Sequence, residues 1–418
     1  MSIESFIPAN ISYPLLWFLD LNLGTMLKLV HNIDEVIVSE TDKKMLRTLN
    51  KERVIYISNH PSTKEPPIAF LVGNLMGSRF KYMASREVFD WGNGMVGKAI
   101  RSIGAYSIIA GSADRESLKA TREILASERG KLVLFPEGEP TGAENDNLLP
   151  FQSGVTQLGF WGFEDALKKD PNAEIQILTT FVKYRMSAIF TDNQRDVDRS
   201  LERMEKFYGL SKNGLTLLER IFAIGGRLME SKEKEFGIPV EHNEDFDYRI
   251  GRLRHYILDM VAEKAKLKRY KKEDNAIDKL RYVLSQFELV SVGTADPKGE
   301  LPSKEITKWG RDICQKVYDF ITIKGDYLAK LPSAERIYEW IYRFEAEIFG
   351  STSPRSTKAY ISFAEPIKLS TYFKEYKSSK NKKEIVDNLT LKLRNTMQEM
   401  LDADITRSQI LFPNDYRF

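Results

Sequence analysis

The stretch RVIYISNHPSTKEPP, residues 53–67, decides the fold class. Its first residues, RVIYIS, are mostly apolar and β-branched or aromatic, which predicts a buried strand. Pro61 cannot donate to a strand ladder, so the strand ends before it. Two polar residues, Asn59 and His60, therefore follow directly at the carboxyl end of the strand.

Strand and helix patterns alternate on both sides of this stretch. Residues 33–40 predict a strand, and residues 41–52 predict a helix with Thr41 as its N-cap. Residues 112–130 predict a second capped helix. Further strands are predicted in residues 80–87, 106–111, 130–139 and 173–186. This alternation predicts an α/β fold with a central, largely parallel sheet and flanking helices.

The rest of the chain divides by its hydrophobic patterns. After residue 186, long charged stretches with helical periodicity replace the strand signals. Near the end, KAYISFAEPIKL is again a strand with a turn, and a helix follows it. We therefore predict an N-terminal membrane-docking helical segment at 1–33, the first part of the α/β core at 34–186, a helical insertion at 187–355, and the last core strand with a C-terminal helix at 356–418.

Composition narrows the possible functions. The 62 basic and 59 acidic residues leave a net charge of +3, which is too small to indicate a nucleic-acid partner. The single cysteine, Cys314, excludes an intramolecular disulfide framework and indicates a reducing cytoplasm. The four histidines form no Cys/His cluster with metal-ligand spacing, so we expect no metal site. No signal-peptide pattern is evident in the first residues.

An apolar segment near the N-terminus, residues 11–30, has two interpretations. Its leucines recur at helical spacing beside Trp17 and Phe18, which predicts an amphipathic helix. Asp20 and Lys28 interrupt it, so it falls short of a clean membrane span. The pattern suits a helix lying in a bilayer interface, and equally a helix docked on the protein's own core.

The first candidate for chemistry is His60 with Glu65, five positions later. An imidazole accepts a proton near neutral pH, and a nearby carboxylate fixes its tautomer and stabilises its charged form. Ligand sites of open α/β sheets gather at the carboxyl ends of the strands, where this pair lies. A lone loop histidine, however, is more often structural or merely exposed.

The second candidate is LVLFPEGEPTG, residues 132–142, where another apolar strand runs into a turn. Glu137 lies at the end of that strand between Pro136 and Gly138. An ordinary turn with a solvated acid is the alternative interpretation. If the two strands are parallel, both turns face the same crevice.

Together the two stretches resemble the glycerolipid acyltransferases, the family of the lysophosphatidate and glycerol-3-phosphate acyltransferases. Asn59, His60 and Pro66 match the family's first signature, with Glu65 where the family usually has aspartate. Phe135 to Gly138 match its third signature, Phe-Pro-Glu-Gly. Two arginine positions of the family are lost: Ala110 stands near that of the second signature and Pro140 at that of the third.

The resemblance implies the roles of these residues. His60 is the general base and Glu65 orients it, while an acceptor hydroxyl attacks an acyl thioester. The donor is acyl-CoA or acyl-carrier protein, and the acceptor is a lysophospholipid or glycerol phosphate. We expect no metal and no bound cofactor, and a peripheral position on the cytoplasmic membrane face. The candidate substrate-binding residues are Asn59, Lys64, Arg115, Glu137 and Gly138.

Several alternatives stay open. Arg115 lies near a predicted helix N-terminus, which suits a phosphate, but it equally suits a surface arginine paired with Glu116 or Glu123. Lys64 either meets an anionic group or is solvated. On the same fold, water as acceptor would give a thioesterase or lysolipase, and loss of activity at Glu65 would leave a lipid-binding protein.

Overall fold

An eight-stranded mixed sheet lies at the centre of the protein. The computed structural model describes residues 6–109, 114–138, 144–211, 213–239, 245–294, 296, 299–318, 320 and 322–414. Ala110 and Pro140 lie outside the described residues. The strands are β1 (Ile33–Val38), β2 (Arg53–Ser58), β3 (Lys81–Ser85), β4 (Ala105–Ile108), β5 (Lys131–Leu134), β6 (Ile175–Met186), β7 (Thr357–Phe363) and β8 (Ile367–Lys368).

The strand order is β1-β7-β6-β2-β5-β3-β4, and β8 pairs with β6. From β6 to β4 neighbouring strands are parallel, whereas β7 and β8 run antiparallel to β6. The largely parallel sheet predicted from the alternating pattern is therefore confirmed. Because β2 and β5 are parallel neighbours, the loops that follow them leave the same edge of the sheet.

Helices cover both faces of the sheet. The helices outside the insertion are α1 (Tyr13–His31), α2 (Glu40–Thr48), α3 (Glu65–Met76), α4 (Met95–Ser102), α5 (Arg115–Ala126), α6 (Gly154–Lys169), α14 (Ser370–Ser378) and α15 (Lys382–Ile405). Along β2, Val54 and Tyr56 join the core beneath α1 and α3, while Ile55 and Ile57 join the core beneath α6 and α15. A strand buried on both faces is typical of a sheet between two helical layers.

The N-terminal helix packs on this core with one side only. Leu16, Leu23 and Leu27 are buried in the same cluster as β1 and α3. On the other side, Trp17 is 64% exposed and Leu21 is 87% exposed. Among the described residues, none of the helices combines the length and the apolar character needed to cross a bilayer.

The predicted N-cap of α2 was wrong. The helix begins at Glu40, and the Ser39 hydroxyl accepts a hydrogen bond from the Asp42 backbone N–H at 3.0 Å. Ser39 adopts the extended backbone that a capping residue requires. Thr41 therefore lies inside the first turn. The second capped helix, predicted at 112–130, is α5, and its N-cap is Asp114.

The chain between β6 and β7 is helical. Its helices are α7 (Phe190–Tyr208), α8 (Leu217–Glu235), α9 (Phe246–Lys264), α10 (Ala276–Ser291), α11 (Lys304–Tyr318), α12 (Gly325–Lys330) and α13 (Ala334–Phe349). They bury two further apolar clusters, one around Trp340 and one around Val261. The placement of this helical segment between two strands of the sheet agrees with the pattern, whereas the division of the chain into domains stays a prediction.

Candidate functional site

His60 and Glu65 meet at the carboxyl edge of the sheet. His60 follows β2, and Glu65 is the first residue of α3. His60 Nδ1 lies 2.9 Å from Glu65 Oε2. Since an ionised carboxylate only accepts hydrogen bonds, the proton of the neutral ring sits on Nδ1. The Nε2 lone pair is left available, and His60 is suited to accept a proton from a bound hydroxyl.

The Glu65 carboxylate is held by further donors. Ser62 donates its backbone N–H at 3.0 Å to Oε2 and its hydroxyl at 2.9 Å to Oε1. The Tyr184 hydroxyl donates to Oε1 at 2.7 Å. Burial and the Glu65 charge raise the pKa of Tyr184 well above its ordinary value, so the phenol stays a donor. With Glu65 only 1% exposed, these contacts fix the carboxylate and through it the ring of His60.

Phe135, at the end of β5, shields one face of the His60 ring. Its ring stacks on the His60 imidazole with centroids 4.1 Å apart. The His60 side chain keeps 12% of its surface exposed. The two sequence stretches singled out above therefore form one site.

Glu137 ties the loop after β5 to the loop after β2. Its Oε1 accepts the His60 backbone N–H at 2.8 Å, and its Oε2 accepts the Leu149 backbone N–H at 2.9 Å. Burial raises the pKa of Glu137, and the two N–H donors oppose that shift. Both oxygens are used within the protein, so this geometry positions His60 and leaves no observed contact for a substrate.

Two further features shape the same loop. Gly138 has φ +89°, a conformation that favours glycine, and its N–H bonds the Phe135 carbonyl at 3.0 Å. Arg281, on α10, donates through Nη2 to the Glu137 carbonyl at 2.6 Å and to the Pro150 carbonyl at 3.2 Å. The helical insertion thus helps to hold the loop that positions His60.

Asn59 is the residue after β2, and its side chain hydrogen-bonds to the backbone of β6. Its side-chain oxygen accepts the Val182 N–H at 2.8 Å, and its amide donates to the Val182 carbonyl at 3.0 Å. Asn145 repeats this one step further along β6, bonding the Val182 carbonyl at 3.0 Å and the Tyr184 N–H at 2.7 Å. Asn59 is buried, so the structure places it as a support for His60.

The two basic residues predicted to bind substrate, Lys64 and Arg115, lie in different surroundings. Lys64 is half-buried, with Nζ 5.3 Å from the centroid of the Tyr184 ring. Burial lowers the pKa of Lys64, and the charge of Glu65 opposes this. Arg115 is exposed at the start of α5, and its side chain makes no hydrogen bond or ion pair to another described residue. The Asp114 side chain already occupies two N–H groups of that helix end.

Sequence reasoning missed four residues of the site: Ser62, Tyr184, Asn145 and Arg281. Ser62 lies inside the first signature, and the spacing to Glu65 was the available signal. Tyr184 lies two residues after Val182 on β6, on the same side of the strand. Within the part of the chain that the structure describes, no group of three or more His, Cys, Asp or Glu side chains can hold a metal ion.

Comparison with known proteins agrees with this geometry. Residues 35–159 match the family model Acyltransferase. The chain contains a glycerolipid acyltransferase domain. Both signatures lie within the matched residues, and the match ends inside α6. A search of curated proteins found no match to the chain.

The matched acyltransferase domain supports acyl transfer in glycerolipid metabolism. The match covers less than half of the chain and none of the helical insertion. The insertion nevertheless contacts the domain at the sheet edge that carries His60. Arg281 reaches the loop after β5, and Glu288 accepts the Ser85 hydroxyl at 2.9 Å at the end of β3.

A buried carboxyl of the insertion gives the protein a distinct pH dependence. Glu339, on α13, accepts the Asn145 N–H at 2.9 Å and the Tyr327 hydroxyl at 2.8 Å. Burial, with the charge of Asp146, raises the pKa of Glu339 to about 8. An unfolded chain releases this proton near pH ~4.3. The contribution of Glu339 to stability is therefore present at acid pH and is lost as the pH rises through about 8.

We expect Glu339→Gln to remove the loss of stability that follows ionisation of Glu339 as the pH rises. Glutamine keeps the shape and cannot ionise, so the melting temperature of the variant should fall less than that of wild type between pH 6 and 9. Thermal denaturation of both proteins across that range measures the difference. Parallel curves would contradict the assignment, and Glu335→Gln, on the same helix, is the control for a nonspecific charge effect.

Proposed function

We propose that the protein is an O-acyltransferase that moves a fatty acyl group from an acyl thioester to the hydroxyl of a lysophospholipid or glycerol-phosphate acceptor. Acyl-CoA or acyl-carrier protein is the co-substrate. The observation that carries the proposal is the hydrogen bond between His60 and Glu65, which leaves Nε2 as a base. Its position inside the acyltransferase domain supports the reaction class.

In the proposed reaction, His60 Nε2 takes the proton of the acceptor hydroxyl as its oxygen attacks the thioester carbonyl. The imidazolium that forms is stabilised by Glu65, which already bonds Nδ1. The tetrahedral intermediate then collapses, the C–S bond breaks, and the leaving thiolate takes the proton from Nε2. The products are the new ester and the free thiol, and His60 returns to its starting state.

We further propose that the protein binds the cytoplasmic membrane face as a peripheral protein, because both substrates are amphiphiles. The exposed apolar side chains of α1 support this position: Tyr13, Trp17, Phe18, Leu21, Leu29 and Val30. At the end of α1, burial and the nearby charge of Lys64 lower the pKa of His31, while Glu65 opposes this. α1 therefore has an exposed apolar face, and its last residue, His31, lies near Lys64 and Glu65.

Replacing Trp17 and Leu21 by aspartate should weaken membrane binding. Each apolar side chain withdrawn from the interface costs ~1.5–3 kcal/mol, so the double variant should lose at least ~10²-fold in affinity for phospholipid vesicles. Cosedimentation with vesicles measures it. Leu391→Asp is the matched control, since Leu391 is an exposed leucine on α15. Equal binding by wild type and both variants would place the membrane contact elsewhere.

The test of the function is acyl transfer from radiolabelled acyl-CoA and acyl-carrier protein to a panel of lysolipids and glycerol 3-phosphate. A labelled acylated product establishes the transferase and identifies its acceptor. Labelled free acid without acylated product would instead favour a thioesterase or lysolipase. No product from folded, vesicle-bound protein would favour a lipid-binding protein.

A further inference from the structure

One face of α10 contacts the sheet edge that carries His60 at two points. Arg281 donates through Nη2 to the carbonyl oxygens of Glu137 and Pro150, at 2.6 and 3.2 Å. Glu288, seven residues further along, accepts the Ser85 hydroxyl at 2.9 Å. Residues seven apart lie on the same side of a helix, about 10 Å from each other. This face of α10 therefore reaches from the loop after β5 to the end of β3, the strand beside it.

The opposite face of α10 packs inside the helical insertion. Val283 and Phe287 are fully buried in the apolar cluster that contains Val261 of α9. Lys279, only 2% exposed, donates to Asp259 of α9 at 2.9 Å. α10 is thus fixed to the other helices of the insertion. The position of the insertion therefore decides where Arg281 holds the loop after β5.

Two hydrogen bonds in series connect Arg281 to His60. The first is the bond from the guanidinium to the Glu137 carbonyl at 2.6 Å. A guanidinium stays protonated in proteins, and hydrogen bonds from an ionised donor are roughly twice as strong as neutral ones. The second runs from the His60 backbone N–H to Glu137 Oε1 at 2.8 Å. A shift of Glu137 therefore shifts the backbone of His60.

A helix of the core holds the same loop a second time. Arg394, on α15, donates to the carbonyl oxygens of Leu148 and Leu149, at 3.1 and 3.4 Å. Leu149 in turn donates its backbone N–H to Glu137 Oε2 at 2.9 Å. The loop should therefore stay folded when Arg281 is replaced, although Glu137 loses the contact at its own carbonyl. We expect such a change to displace His60 without unfolding the domain.

We propose that Arg281 is a positioning residue for His60, so that full acyl transfer requires the helical insertion that carries it. The inference rests on the proposed function, in which His60 is the general base. Arg281 lies outside residues 35–159, so the rest of the chain adds this support to the acyltransferase domain. A displacement of ~1 Å caused by a change remote from the reacting atoms can cost ~10²-fold in rate.

Arg281→Met should lower kcat by at least ~10-fold and leave KM within ~3-fold, because the change acts on the position of the base. Arg281→Lys keeps a charged donor for one carbonyl and should recover part of the loss. Arg227→Met is the matched control, since Arg227 is an exposed arginine of α8 paired with Glu230 at 3.0 Å. Acyl transfer from a radiolabelled donor measures kcat and KM, and the melting temperature checks the fold.

A double variant shows whether Arg281 acts through His60. If it does, Arg281→Met should cause no further loss in the His60→Ala background, because the group that it positions is gone. An equal loss in both backgrounds would mean that Arg281 acts independently of the base, and would overturn the proposal. Unchanged kcat in folded Arg281→Met would also overturn it.

Amide hydrogen exchange tests the same contact without acyl transfer. The backbone N–H groups of His60 and Leu149, which both bond Glu137, should exchange faster in Arg281→Met than in wild type or Arg227→Met. Unchanged exchange at both amides overturns the inference, whatever the activity. Faster exchange in a protein whose wild type transfers no acyl group would support the positioning contact and count against the proposed function alone.

Discussion

His60→Ala should lower kcat for acyl transfer by ~10²–10⁴-fold, the contribution of a positioned general base. The alanine variant keeps the backbone N–H that bonds Glu137, and the removed ring stacks only on Phe135 among the described aromatic residues. The loop should therefore keep its shape. Radiolabelled product formation under saturating donor and acceptor measures the loss, and the melting temperature checks the fold.

His60→Gln separates the chemical role from the structural one. Glutamine can still donate an N–H toward Glu65, but an amide does not accept a proton near neutral pH. Both variants should therefore lose activity alike. If the glutamine variant kept wild-type kcat, His60 would be a structural residue, and the base would have to be sought elsewhere in the domain.

The second large effect is expected for Glu65→Asp. Aspartate keeps the charge, but its shorter side chain cannot keep the contacts to His60, Ser62 and Tyr184 together. A misplacement of ~1 Å at a catalytic group costs ~10²-fold, so kcat should fall by about that factor. The value of KM should change far less, because Glu65 contacts the base and not the substrate.

Glu65→Gln is the matched control, with the same reach and no charge. A comparable loss in both variants shows that position and charge are each required. Tyr184→Phe removes one hydrogen-bond donor to Glu65 Oε1, and its kcat should fall less than that of either Glu65 variant. A gain of activity in Glu65→Asp would contradict this account, since it would mark glutamate as a weakened form of the site.

The candidate site could be predicted because its main residues follow strand ends. β2 ends at Ser58 and β5 at Leu134, as their apolar runs indicate, and parallel pairing brings the following loops together. That is enough to place His60 beside the loop of Glu137. The first turn of α2 shows where local signals become ambiguous: Ser39 and Thr41 are both good capping residues, and only the backbone geometry decides between them.

The supporting residues could not be predicted, since they come from distant parts of the chain. Tyr184 reaches Glu65 across 119 residues, and Arg281 reaches the Glu137 carbonyl across 144. No local pattern marks such contacts.

The pairing of β1 with β7 has a consequence for biosynthesis. In the described sheet, β1 lies at the edge and β7 is its neighbour, with Val36 opposite Ala359. A ribosome adding ~5–20 residues per second needs roughly 15–65 s to pass from one strand to the other. During that interval α1 emerges with its apolar side chains and without the finished sheet beneath it. The helix can therefore meet a lipid surface or a chaperone before the rest of the protein exists, and completion of the sheet edge is expected to be a late folding step.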